Sequence, residues 1–133
     1  MTVPADIFEL FDQIGFSETD GSHAEVTVEL PAAPHVMNTN GGIQGGLLAT
    51  LVDIVAGKLA MRQLPPGHSV VTSDLNLRYL RAITTGTARA AARIVHSGRR
   101  SIVIQVEVKA MPEGELAALA TVSFARIARR PTP

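Results

Sequence analysis

The chain has 133 residues, 46% of them hydrophobic, and its twelve basic and twelve acidic side chains leave no formal net charge. That length supports one domain, expected over residues 1–133, and such a hydrophobic content excludes disorder. Charge balance and only 4% aromatic residues argue against a nucleic-acid surface, and the absence of cysteine excludes disulfides, thiolate nucleophiles and cysteine-ligated zinc.

The start, "MTVPADIFELFDQIGF", carries Asp6, Glu9 and Asp12 where a secretory leader would be basic and then apolar, so a cytoplasmic location without a membrane partner is expected. Ile7, Leu10, Phe11 and Ile14 follow helical spacing between Pro4 and Gly15. This predicts a short amphipathic helix over 4–14 that docks as a lid or flank. Residues 23–30, "HAEVTVEL", alternate strictly and stop at Pro31, as in a strand with one wet face.

A loop rich in Pro, Asn and Gly (31–44) leads to "GGLLATLVDIVAGKLAMR", a helix expected over 45–62 with no wet side and one carboxylate, Asp53, in its middle. Strand-like runs follow at 69–80, 86–96, 101–110 and 115–128, with turn signals at Thr85-Gly86, Ser97-Gly98 and Pro112-Glu113-Gly114. Their short links imply antiparallel pairing. About five strands and one apolar helix give an α+β class, and because a flat sheet covers only one side of a helix, the sheet must curl around it. Curling still leaves one helix side for a partner subunit, which implies a homodimer.

A helix that starts at Gly45 or Gly46 leaves its first N–H groups unpaired at the positive end of the helix dipole, where they can hold an oxyanion. Asp53 lies eight residues further on, about 12 Å along the axis. One substrate carbonyl cannot touch both. If both act on one substrate, two copies of the helix must run antiparallel across a two-fold axis, with Gly45 of one subunit facing Asp53 of the other.

The segment "HVMNTNGGIQGGLLATLVDIVAGKLA", followed by "VVTSDLNLRYLRA", resembles the hot-dog-fold acyl-CoA thioesterases of the phenylacetate-pathway type, and the match runs over residues 35–128. The resemblance implies the hot-dog fold, an antiparallel sheet wrapped around one long central helix, with the short N-terminal helix added. It also implies hydrolysis of an acyl- or aryl-CoA thioester to free acid and CoA, without a cofactor, by a homodimer assembled as a dimer of dimers. Carried over by position, Gly45 donates its N–H to the oxyanion and Asp53 serves as nucleophile or as base for water. Asn38 positions the water or the thioester carbonyl, and Thr72 helps to hold the water. Strict alternation, however, puts Thr72 on the face of Asp74 and Asn76, opposite Leu75 and Leu77. Gln44 stands where the family usually has His, and glutamine donates a hydrogen bond but shuttles no proton.

A thioester suits this set, since its thiolate leaves without much general-acid help. For the phosphates of CoA, the turn "HSGRRS" offers Arg99, Arg100 and Ser101, and "LRYLRA" offers Arg78 and Arg81. The four histidines show no metal-ligand spacing, so no metal site is expected. The rival to an enzyme is a non-catalytic acyl-CoA binding module that has kept the fold, and a hot-dog hydratase is a weaker third reading.

Overall fold

The computed structural model describes residues 2–19 and 26–129. Helix α1 spans Ile7–Ile14, starting later than its Pro4 signal because Asp6 is the cap: its Oδ1 accepts from Glu9 N at 2.9 Å. Gly15 ends the helix with φ +115°, its N–H bonding Phe11 O. Only part of the expected apolar stripe docks. Phe11 and Ile14 pack against the core, whereas Ile7 and Leu10 stay exposed, as does Phe8.

Strand β1 (Ser17–Thr19) is too short for any period to reveal, and it makes six strands rather than five. Strand β2 covers Val26–Pro31; the expected start at 23–25 lies outside the described residues. Val26, Val28 and Leu30 are buried as the alternation predicts. Helix α2 spans Gly45–Met61, followed by β3 (His68–Tyr79), β4 (Thr87–Ser97), β5 (Ser101–Met111) and β6 (Glu115–Ala128).

All pairings are antiparallel, in the order β1-β2-β4-β5-β6-β3. The expectation that consecutive strands pair fails once: β3 crosses to the far edge beside β6, and residues 80–86 carry the chain back to β4. The link is tied to its surroundings by Leu80 N to Ala117 O (2.8 Å), Ile43 N to Ile83 O (2.9 Å) and Ala32 N to Gly86 O (2.9 Å). Gly86 has φ +74°, and a Cβ there would fall on Met111 O, so the turn requires glycine.

The sheet curls around α2 and buries Leu48, Leu51, Val52, Val55, Ala56, Leu59 and Ala60, an i, i+3, i+4 stripe rather than the whole circumference. Each fully buried Leu or Val of this kind is worth about 1.5–3 kcal/mol relative to exposure. The helix therefore does have an open side: Gly46, Lys58 and Met61 are exposed, and Thr50, Asp53 and Gly57 are half-buried. No described helix is long and apolar enough to cross a membrane.

Candidate active site

Two groups of polar atoms flank α2. The first is built by the loop before it. Asn38 Oδ1 accepts from Asn40 N (2.9 Å) and Gly42 N (3.1 Å), and Asn38 N donates to Gly42 O (2.7 Å), which closes a tight turn. The Asn38 carbonyl oxygen is thus committed to the loop, and its Nδ2 is the atom left to face a ligand. Gln44 N bonds Val36 O at 2.9 Å and sets the entry into α2.

Gln44 is extended (φ −60°, ψ 131°) and caps the helix, its Oε1 accepting from Leu47 N at 2.8 Å. The role of Gln44 in this structure is therefore that of a cap, with only its Nε2 available to a substrate. The N–H groups of Gly45 and Gly46 have no acceptor among the described residues. Asn38, Gly45, Leu48, Tyr79, Arg81 and Ile83 are among the residues that line a cavity of about 400 Å³ at this end of the helix.

Tyr79 escapes the sequence reading. Its hydroxyl donates to Gly45 O at 2.5 Å, and its ring lies so close that a Cβ on Gly45 would meet it at 3.3–3.4 Å. Burial pushes the Tyr79 pKa up, so the hydroxyl stays a donor at neutral pH. The signal that could have found it is its position as the only tyrosine, two residues beyond Leu77 on an inward face.

The second group centres on Asp53, half-buried on the open side of α2. Thr72 Oγ1 donates to Asp53 Oδ1 at 2.8 Å. Strict alternation denies this contact, and a β-bulge restores it. Thr72 pairs with Phe124 and Asp74 with Ser123, so Ser73 is the extra residue that shifts the phase of β3. Val70 and Thr72 before the bulge then share the inner face with Leu75, Leu77 and Tyr79 after it.

The candidate phosphate-binding residues separate. With Leu77 and Tyr79 turned inward, Arg78 faces the outer side of the sheet, so it does not join either group. Arg81 does line the cavity beside Gly45, held in an ion pair with Glu115. Arg99, Arg100 and Ser101 sit at the opposite end. Ser101 pairs with Ala125, which pairs with Val71, so this turn lies near the level of Thr72, about 20 Å of strand away from Tyr79. Arg126, also missed, joins that turn: its N donates to Arg100 O at 2.9 Å and its Nη2 to Ser97 Oγ at 3.0 Å. Its buried Nε bonds no described residue.

Comparison with known proteins settles what kind of molecule this is. The family model of the thioesterase superfamily matches residues 40–117, more than half of the chain. The chain belongs to the thioesterase superfamily. A candidate esterase of Halobacterium salinarum is 34% identical over 105 residues, 74% of this chain and 68% of that protein. A Bacillus halodurans protein solved with CoA superposes with a TM-score of 0.85 at 35% identity, covering 92% of this chain and 80% of that one. A candidate thioesterase of Ralstonia eutropha, related to phenylacetic acid degradation, gives 0.78 at 27% identity, covering 91% and 92%. The hot-dog fold and the resemblance to the phenylacetate-type thioesterases are upheld, and the protein is a thioester hydrolase.

Proposed function

We propose that this thioesterase hydrolyses an acyl- or aryl-CoA thioester to the free acid and CoA in a site shared by two subunits. The observation that carries the reading is the division of the polar groups along α2. Unpaired N–H donors and a cavity lie at the helix start, and a carboxylate tethered by Thr72 lies about 12 Å further along. A second copy packed antiparallel on the open side of α2 brings Gly45 of one subunit to Asp53 of the other. The long edge strand β3, twelve residues, supports pairing of this kind, since an unprotected edge of that length is a ready template for another strand. Dimers of this type then assemble in pairs.

In the shared site the thioester carbonyl oxygen sits at the Gly45 N–H, beside Asn38 Nδ2. The Asp53 carboxylate either attacks the carbonyl carbon, giving an acyl-aspartate that water then hydrolyses to the free acid, or takes a proton from a water that attacks in its place, with Thr72 fixing the carboxylate and its water. Negative charge on the tetrahedral oxygen is held by the helix N-terminus, and the thiolate of CoA leaves with the C–S bond electrons. Gln44 contributes a cap and one amide donor, and proton transfer does not pass through it.

The CoA-bound relative supports a CoA thioester as substrate. Arg99 and Arg100, with Arg126 behind them, provide guanidinium groups near the level of Asp53, so they serve the nucleotide phosphates on the subunit that supplies the carboxylate. Arg81 serves from the other subunit. The test is a panel of acyl- and aryl-CoA thioesters followed by free-thiol release. Hydrolysis of at least one CoA thioester, abolished by Asp53→Asn, is expected. A protein that binds CoA thioesters and returns them intact would replace this reading with the binding module.

A further inference from the structure

We propose that Tyr79 is a positioning residue of the oxyanion hole, clamping the Gly45–Gly46 peptide so that the Gly46 N–H serves as a second donor beside the Gly45 N–H. The proposal rests on the shared-site reading above and adds to it a residue and a donor. Gly45 O and the Gly46 N–H belong to one planar peptide unit, so a hydrogen bond that fixes the carbonyl also fixes the direction of the N–H. The Tyr79 hydroxyl makes that bond at 2.5 Å. A donor on the carbonyl also polarises the amide and strengthens its N–H as a donor in turn.

Helix α2 already engages Gly45 O in its own ladder, and the Tyr79 hydroxyl adds a second restraint at the two residues with the most backbone freedom. Two consecutive glycines at a helix start have the widest backbone freedom, whereas an oxyanion hole works by holding its donors in place before charge develops. No side chain of Gly45 or Gly46 can supply that order. Tyr79 comes from β3, on the inward face that it shares with Leu75 and Leu77, and its ring lies against Gly45 and lines the same cavity. Tyr79 remains half exposed, at 51%, so the core does not depend on it as it does on Leu51 at 0%. The contact is close: a first side-chain carbon at position 45 would stand 3.3 Å from the Tyr79 oxygen, so the ring would have to give by a few tenths of an ångström.

The experiment compares wild type, Tyr79→Phe, Tyr79→Ala and Asp53→Asn on the best thioester of the panel, with kcat expressed per folded protein. Tyr79→Phe keeps the ring and removes only the hydroxyl, so kcat should fall about tenfold while KM stays within about twofold. Tyr79→Ala also removes the cavity wall, so KM should rise as well. A merely structural tyrosine would lower the thermal midpoint and leave the kcat and KM of the folded fraction unchanged. Should Tyr79→Phe retain kcat within about twofold while Asp53→Asn is dead, the clamp is wrong and the shared site stands. If Asp53→Asn is fully active, the underlying site falls, and the clamp with it. Tyr79→Phe decides the matter even if Tyr79→Ala fails to fold.

Discussion

Along α2, the residues that meet the sheet differ in kind from those that face away from it. Leu48, Leu51, Val52, Val55 and Leu59 fill the inside of the curl, each at most 5% exposed. The open side instead carries Gly46, Thr50, Asp53 and Gly57, small or polar residues on a helix that elsewhere favours bulk. A charge among aliphatic residues is costly on the first side and tolerable on the second, where it is half-exposed and bonded by a hydroxyl. The sheet side therefore answers for stability and the open side for chemistry, and substitutions on the two should separate these properties.

The largest effect belongs to the open side. Asp53→Asn is nearly isosteric and keeps an oxygen for the Thr72 hydroxyl, so the fold should be unaffected while kcat for thioester hydrolysis falls by roughly 10³-fold or more. Thermal melting and thiol release on the same sample check both halves. Full activity in a folded Asp53→Asn enzyme would end the assignment.

A second test asks whether the open side is completed by another copy. Gly45→Pro deletes one N–H where a helix tolerates proline, with Gln44 already extended as the residue before proline prefers, although the Tyr79 ring must yield a few tenths of an ångström. Gly45→Pro and Asp53→Asn homodimers should each be nearly dead. A heterodimer holds one doubly defective site and one intact site. Refolding an equal mixture should therefore recover about one quarter of wild-type activity, half of the dimers with half of their sites. If mass measurement shows heterodimers and activity stays at the parental level, Gly45 and Asp53 do not meet across an interface.

On the sheet side the expected outcome is reversed. Leu51 is fully buried, so Leu51→Ala should cost about 2–5 kcal/mol of stability through lost burial and the cavity left behind. The kcat of the protein that remains folded should stay within about threefold of wild type. Denaturant unfolding and kinetics per folded enzyme measure the two. A large loss of kcat without loss of stability would place Leu51 in the chemistry and dissolve the distinction between the sides.

The same contrast explains what the sequence could and could not disclose. The length of the apolar run located α2, the turn signals bounded β6, and alternation gave the buried face of β2, whereas the open side of α2 lay hidden in a run of small and apolar residues. Alternation misjudged the phase of Thr72 because a bulge is one extra residue, which no pattern announces, and that bulge is what puts Thr72 on the same face as Tyr79. The pairing of β3 with β6 rather than β4 is set by how the sheet closes around the helix, a property of the whole chain. Asp53 was legible for the opposite reason: a carboxylate that breaks an apolar pattern stands out wherever the helix lies. The three-residue β1 and the partial docking of α1 left no mark that a pattern could detect.

The smallest effect is expected at the junction of the two groups, Gln44. Its Oε1 caps the Leu47 N–H, and its exposed position leaves room for another ring or amide. Histidine can accept the same N–H through a ring nitrogen, so Gln44→His should shift stability by no more than about 1 kcal/mol, the usual worth of a helix cap. Turnover should be kept or rise by a few-fold, because a ring N–H replaces the amide donor and the carboxylate and backbone donors are untouched. Thermal melting and kcat on the best thioester measure both. A loss of turnover beyond about tenfold in a folded Gln44→His enzyme would mean that the amide touches the substrate in a way imidazole cannot copy. Gln44 would then move from the cap of α2 into the reacting set.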